Sequence, residues 1–268
     1  MTPSAVRATA LRWQATAEPA IVVEVLATRG SVPRDAGTRM LVAADKVLGT
    51  IGGGHLELQA INTARQLLVQ GGAPQDRSVA LGPSLGQCCG GALTLRFTQL
   101  AALDLQQWPL PPALFDLQLY GAGHVGRATV RLLRGIDCRV RWVNEREEEF
   151  PGENFPVHIE QVCTEQPQAE VARAAPDAFF LVLTHSHDLD LAISQAILAR
   201  GDFGFFGLIG SQTKRARFEH RLLERGIAPS TLARMVCPIG LPGLPGKQPE
   251  VLAVSVVAQL LMQRQAVC

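Results

Sequence analysis

Residues 117–133 read LQLYGAGHVGRATVRLL, and this stretch decides the fold. A short apolar run, Leu117, Leu119 and Tyr120, stops at a glycine. Gly121, Gly123 and Gly126 then fit G-x-G-x-x-G, with His124 inside the turn. The apolar residues that follow, Val125, Ala128, Val130, Leu132 and Leu133, stand at helical spacing. A strand, a tight turn and a helix start in that order give the glycine pattern its meaning. Glycines let the backbone turn sharply and approach a ligand closely. A helix N-terminus offers free N–H groups and about half a positive charge to a phosphate. The reading is a phosphate or nucleotide site; the alternative is a strand-to-helix packing turn with no ligand.

Downstream, Arg139–Val143 is a second strand of the same unit. A dinucleotide fingerprint expects an acid at its end to hold the ribose hydroxyls. Asn144 stands there, followed by Glu145, so the site departs from a clean NAD pattern and NAD is not expected as its cofactor. The run EREEE (145–149) reads as a solvated acidic turn. Residues 178–184, AFFLVLT, form the near-continuous apolar run of a strand buried on both faces in a parallel sheet. That strand ends in HSHDLD, which places His185 and His187 at the edge where ligands bind. The spacing is similar to HxHxDH of metallo-β-lactamase-like hydrolases but misses it, with Leu189 and Asp190 in the last two places. Ligand hydrogen bonding, or helix capping by Asp188, is preferred to a metal. A further buried strand spans 203–210. Ser211 then caps a helix carrying Lys214, Arg215 and Arg217, a third helix start suited to an anion. A short strand (235–239), a Gly/Pro loop (240–250) and a closing helix (249–262) complete the chain.

Upstream, residues 4–16 read as a helix with Ser4 as N-cap, and 20–28 as a strand. The loop RGSVPRDAGTRM (29–40) carries Arg29, Arg34 and Arg39 among Gly, Pro and Ser. It is either a solvated loop or an anion-binding one, arginine forks being matched to phosphate oxygens. A hairpin around Ala44-Asp45 precedes Gly52, Gly53 and Gly54, a second glycine-rich turn before a helix, with Glu57 on the helix's first turn. In LGQCCGG, the adjacent Cys88 and Cys89 sit in a glycine loop, where thiols look presented rather than packed. A thiolate there suits a nucleophile or a soft metal ligand. Residues 101–113, rich in Pro and Gln, read as a linker between domains 1–100 and 114–268.

The 268 residues carry 25 Lys plus Arg against 24 Asp plus Glu, a net charge of +1. That balance argues against a protein built to hold nucleic acid or an acidic membrane surface. The N-terminal residues have no signal-peptide run, and the longest C-terminal apolar run is too short to span a bilayer. A cytoplasmic protein is expected, its six cysteines mostly thiols.

Seven motifs occur in order from residue 28 to 261: TRGSVPRDAGTRM, GTIGGGHLE, LGQCCGG, YGAGHVGRA, THSHDLD, GLIGSQTKRARF and CPIGLPGLPGKQPEVLAVSVVAQLL. Together they resemble the xanthine dehydrogenase accessory protein family of the XdhC type, itself similar to the CoxI proteins of carbon monoxide dehydrogenase clusters. The resemblance implies an α/β protein with a C-terminal Rossmann-like parallel sheet and a smaller N-terminal α/β domain. It implies a dimeric chaperone without turnover of its own. Such a protein binds molybdenum cofactor, supports its sulfuration by a cysteine desulfurase, and hands it to apo xanthine dehydrogenase or a related molybdenum hydroxylase. The implied cofactor contacts are Arg34, Gly52, Gly53, Gly54, Cys88, Cys89, Gly121, Gly123, His124, Gly126, His185, His187, Ser211 and Lys214. Cys88 or Cys89 would face the molybdenum. The competing reading is an NAD(P)-dependent oxidoreductase using the same glycine loop, which Asn144 disfavours.

Overall fold

A computed structural model describes residues 2–72, 74–81, 90–244 and 246–264. Cys88 and Cys89 lie outside the described residues. The chain divides into two compact units, Met1–Pro111 and Pro112–Cys268.

The first unit begins with helix α1 (Pro3–Ala15). Its N-cap is Thr2, whose hydroxyl accepts from Ala5 N at 3.2 Å, rather than the expected Ser4. Proline at N1 is preset for a helical φ, and this moves the start forward. Strands β1 (Ile21–Arg29), β2 (Arg39–Val42) and β3 (Val47–Leu48) follow, then α2 (Gly54–Gln70), β4 (Gln75–Ala80) and β5 (Ala92–Gln99). They form one antiparallel sheet in the order β3-β2-β1-β5-β4. Alternation along β1 supplies two cores. Ile21, Val23 and Val25 pack with Leu56, Ala60 and Ala64 of α2, while Val22 packs with Val6 and Ala10 of α1. The stretch expected to be a linker is largely folded onto this unit. It forms two 3-10 turns, and Leu105 and Trp108 are buried beside Val6 and Leu41.

The second unit runs β6 (Asp116–Tyr120), α3 (His124–Leu133), β7 (Arg139–Asn144), β8 (Ile159–Cys163), α4 (Pro167–Glu170), β9 (Phe179–Val182), α5 (His187–Arg200), β10 (Phe205–Leu208), α6 (Gln212–Glu224), α7 (Pro229–Leu232), β11 (Met235–Val236) and α8 (Pro249–Arg264). Its six strands are all parallel, in the order β11-β10-β9-β6-β7-β8. This is the Rossmann order, with the chain winding outward both ways from β6 and β9. β9 shows why its sequence is apolar throughout. Phe179 and Leu181 enter the core shared with Val130, Leu133, Val256 and Leu260, while Phe180 and Val182 enter the core shared with Ile193, Ile197, Phe218 and Leu222. β8 was not apparent in the sequence, because as an edge strand it buries only Ile159.

Candidate functional site

Parallel strands deliver all their C-terminal ends to one edge. The strand order reverses between β6 and β9, and a crevice opens there in folds of this kind. Gly121–His124 leaves β6, Asn144–Arg146 leaves β7, and Thr184–His187 leaves β9. Gly121 has φ of 113°, and a Cβ on it would lie 2.5 Å from Leu183 O. A Cβ on Gly126 would collide with Gly121 O. Those two glycines are demanded by the protein's own packing. Gly123 is different: it has an ordinary extended φ of −70°, and a Cβ on it would meet nothing within 4 Å. Gly123 and His124 are exposed.

The three helix starts expected to attract anions differ in what already fills them. At α2, Glu57 folds back over the Gly52–Gly54 turn. Its Oε2 accepts from Ile51 N at 3.0 Å, from Gly53 N at 3.1 Å and from Thr50 Oγ1. An internal carboxylate therefore takes the donors that were read as a ligand's. At α6, Ser211 is the N-cap as expected, its Oγ accepting from Lys214 N at 3.2 Å. The Lys214 ammonium turns inward. It lies 2.5 Å from Oδ2 of the fully buried Asp190 and donates to Ile209 O at 2.9 Å. Asp190 Oδ1 accepts from Thr184 N and Thr184 Oγ1, so this pair ties α5 and α6 to the end of β9. Lys214 is thus a strut under the edge rather than a free cation on it. At α3 the N-cap is Gly123, with no side chain to satisfy the first N–H groups. Of the three starts, this is the one whose turn residues Gly123 and His124 are exposed and for which no side-chain cap is found among the described residues.

Asn144 explains the missing ribose acid. Its Oδ1 accepts from Ala122 N at 3.1 Å, while Nδ2 donates to Arg146 O at 2.9 Å and to Glu149 Oε2 at 2.8 Å. The side chain is buried and used at both ends, clamping the glycine turn to the segment after β7. The EREEE run is accordingly structured and not merely solvated. Glu149 pairs with Arg146 at 2.5 Å, and its carbonyl accepts from Arg127. Arg146 also lies 3.3 Å from His185 Nδ1, joining the β7 and β9 loops across the crevice. Sequence reading missed Arg146. Its position two residues past a Rossmann strand end, where an arginine can meet a phosphate, was the available signal.

His185 and His187 are exposed on the loop and first turn before α5. Ser186 caps that helix, its Oγ accepting from Leu189 N at 3.3 Å, so Asp188 is not the cap. Asp188 instead approaches Arg221 on the surface. Among the described residues, no group of three or more His, Cys, Asp or Glu is arranged to hold a metal. Cys163, at the end of β8, is exposed and its thiol donates to Glu145 O at 3.6 Å. Burial raises the thiol of Cys237, the nearby Lys214 and Arg215 charges notwithstanding. Burial likewise raises the Tyr120 phenol beside the glycine turn, so it stays protonated. Arg34 lies in the first unit, on a cavity also lined by Arg39 and Trp108. Among the described residues, no helix is long and apolar enough to cross a membrane.

Comparison with known proteins follows the same division. Residues 117–260 match the model of the XdhC Rossmann domain, and residues 13–77 match that of the XdhC and CoxI family. The uncharacterized protein YqeB of Escherichia coli (strain K12) is 30% identical over 259 residues. The alignment covers 91% of this chain, but the chain spans only 43% of YqeB. A crystal structure from Bacillus halodurans, described as a xanthine dehydrogenase, superposes with a TM-score of 0.75 at 18% identity. It covers 99% of this chain and 96% of that one, a likeness of fold. With more than half its length matched by the Rossmann-domain model and much of the rest by the model of the N-terminal region, the chain belongs to the XdhC family.

Proposed function

We propose that this protein is a molybdenum cofactor carrier acting in the maturation of xanthine dehydrogenase or a related molybdenum hydroxylase. It takes up the cofactor, supports its sulfuration by a cysteine desulfurase and inserts it into the apo-enzyme, working as a cytoplasmic homodimer. The observation that carries the reading is the uncapped α3 N-terminus behind Gly123, an outward-facing glycine with room for a ligand. A phosphate monoester, such as the one that ends a molybdopterin, suits those N–H groups. Arg146 and His185, which meet each other on the loops after β7 and β9 at the same sheet edge, would add further polar contacts. Cys88 and Cys89, which lie outside the described residues, would supply a soft ligand to the metal end. Family membership supports the same role. The bound cofactor supplies redox and oxo-transfer chemistry to the receiving enzyme; this chain's part is to bind, orient and release it.

The NAD(P)-dependent alternative draws on the strand order, but the Asn144 amide is spent on Ala122, Arg146 and Glu149. Mass spectrometry of the small molecule that co-purifies from molybdenum-replete cells tests the proposal. Molybdopterin in any form, lost on Gly123→Asp, is the expected result. NAD(P) in its place, or molybdopterin unaffected by that substitution, would overturn it.

A further inference from the structure

In a dinucleotide crevice the phosphates lie on the helix start after one strand, and the nucleoside turns toward the end of the next strand, where its ribose hydroxyls meet a side chain. In this chain those places are Gly121–His124 and Asn144. The second place is filled from within. Asn144 is only 6% exposed, and its Nδ2 donates to Glu149 Oε2 at 2.8 Å. Glu149 therefore lays a carboxylate on the residue that a ribose would have to reach. The segment that carries it forms a 3-10 turn, Glu147–Glu149, fastened at several points. Arg127 of α3 donates to Glu149 O at 3.0 Å, and Arg146 pairs with Glu149 Oε1 at 2.5 Å. The next residue, Phe150, sets its ring edge-on to Trp142 with centroids 5.0 Å apart. Trp142 in turn donates to Gly121 O at 3.0 Å, so the acidic turn and the glycine turn share one frame.

Charge acts in the same direction. Glu147 and Glu148 are exposed on the acidic turn and form no ion pair among the described residues. A nucleoside diphosphate would add negative charge beside them, and like charges repel. A ligand that ends in one phosphate has no need to reach past the end of β7. The first unit uses a similar device, Glu57 taking the donors of the Gly52–Gly54 turn. We propose that Glu149 is a specificity-determining residue. It closes the nucleoside half of the crevice, so that the α3 start accepts a ligand ending in a phosphate monoester and rejects one extended by a nucleoside. The inference rests on the reading of the α3 start as a phosphate seat, and not on which monoester is carried.

Isothermal titration of the full chain with ADP and with NAD tests it. The wild type should show no saturable binding of either. Glu149→Ala should bind at least one of them saturably, a gain of at least about tenfold, because withdrawing the carboxylate frees the Asn144 amide for a ribose. Glu149→Ser withdraws the same carboxylate and should do likewise. Glu149→Gln keeps the bulk and an oxygen for Asn144 Nδ2, and should stay closed. Adding Gly123→Asp to Glu149→Ala should abolish the gained binding, since the phosphates lose their seat. Saturable binding of ADP or NAD to the wild type would overturn the proposal. So would no gain in an open variant that keeps the wild-type thermal midpoint, or a gain that survives Gly123→Asp. Loss of the fold in both open variants would reduce Glu149 to a structural anchor and overturn it equally. A gain abolished by Gly123→Asp, in a chain whose wild type carries no molybdopterin, would leave this proposal standing and the carrier reading fallen.

Discussion

A methyl group on Gly126 would run into the carbonyl oxygen of Gly121, whereas one on Gly123 would meet nothing within 4 Å. The same motif therefore contains glycines kept for the fold and one left over for a ligand. Gly126→Ala should cost about 1–3 kcal/mol in urea unfolding, the usual range for forced overpacking. Gly123→Ala should fall within about 0.5 kcal/mol of wild type. Equal losses at both positions would remove the distinction. Cys138 offers a second residue-level test. Burial, with smaller contributions from the Asp137 and Asp116 charges, pushes its thiol up to about 12. An unfolded thiol ionises near ~8.5, so the stabilising difference is present in full below that pH and is lost as pH rises toward the folded value. The urea midpoint of the wild type should drop more between pH 8 and pH 11 than that of Cys138→Ala. Parallel curves would show that the thiol is not protected in the folded state.

Among the elements, the informative contrast is between helix starts. The sequence announces all three, since glycine turns and a Ser N-cap are local signals. It does not announce which are already filled. Glu57 returns to a turn only a few residues away, but nothing in its spacing separates an internal anchor from a charge that merely suits the helix dipole. Lys214 and Asp190 are 24 positions apart, and their pairing is created by the sheet that brings α5 and α6 together. Arg146 was hidden in an acidic run whose composition suggested a solvated turn. Lys214→Met should cost about 3–5 kcal/mol, because it strands a buried carboxylate. Its measurement is the denaturation midpoint of the purified variant. A fully stable variant with weakened ligand binding would instead make Lys214 a ligand contact. Glu57→Gln should destabilise the first unit by about 1–3 kcal/mol and leave cofactor binding at the other glycine turn untouched.

At the scale of the whole molecule, strand order and sequence agree. Apolar runs at 117–120, 140–143, 179–182 and 205–208 become the four central strands of a parallel sheet, flanked by β8 and β11. The edge strand β8 and the packed segment around Leu105 and Trp108 were illegible, the first for lack of buried residues and the second because Pro and Gln concealed two anchoring side chains. Family membership then gives the fold a biological setting, and the open α3 start gives it a point of attack. The most direct measurement is an equilibrium titration of the purified chain with molybdenum cofactor, read as pterin fluorescence of the bound fraction after oxidation. Wild type should saturate, Glu57→Gln should match it, and Gly123→Asp should bind at least about tenfold more weakly, through added bulk and negative charge where the phosphate is placed. Unchanged affinity in a correctly folded Gly123→Asp variant, or wild-type binding no better than that of an unrelated Rossmann protein, would contradict the account.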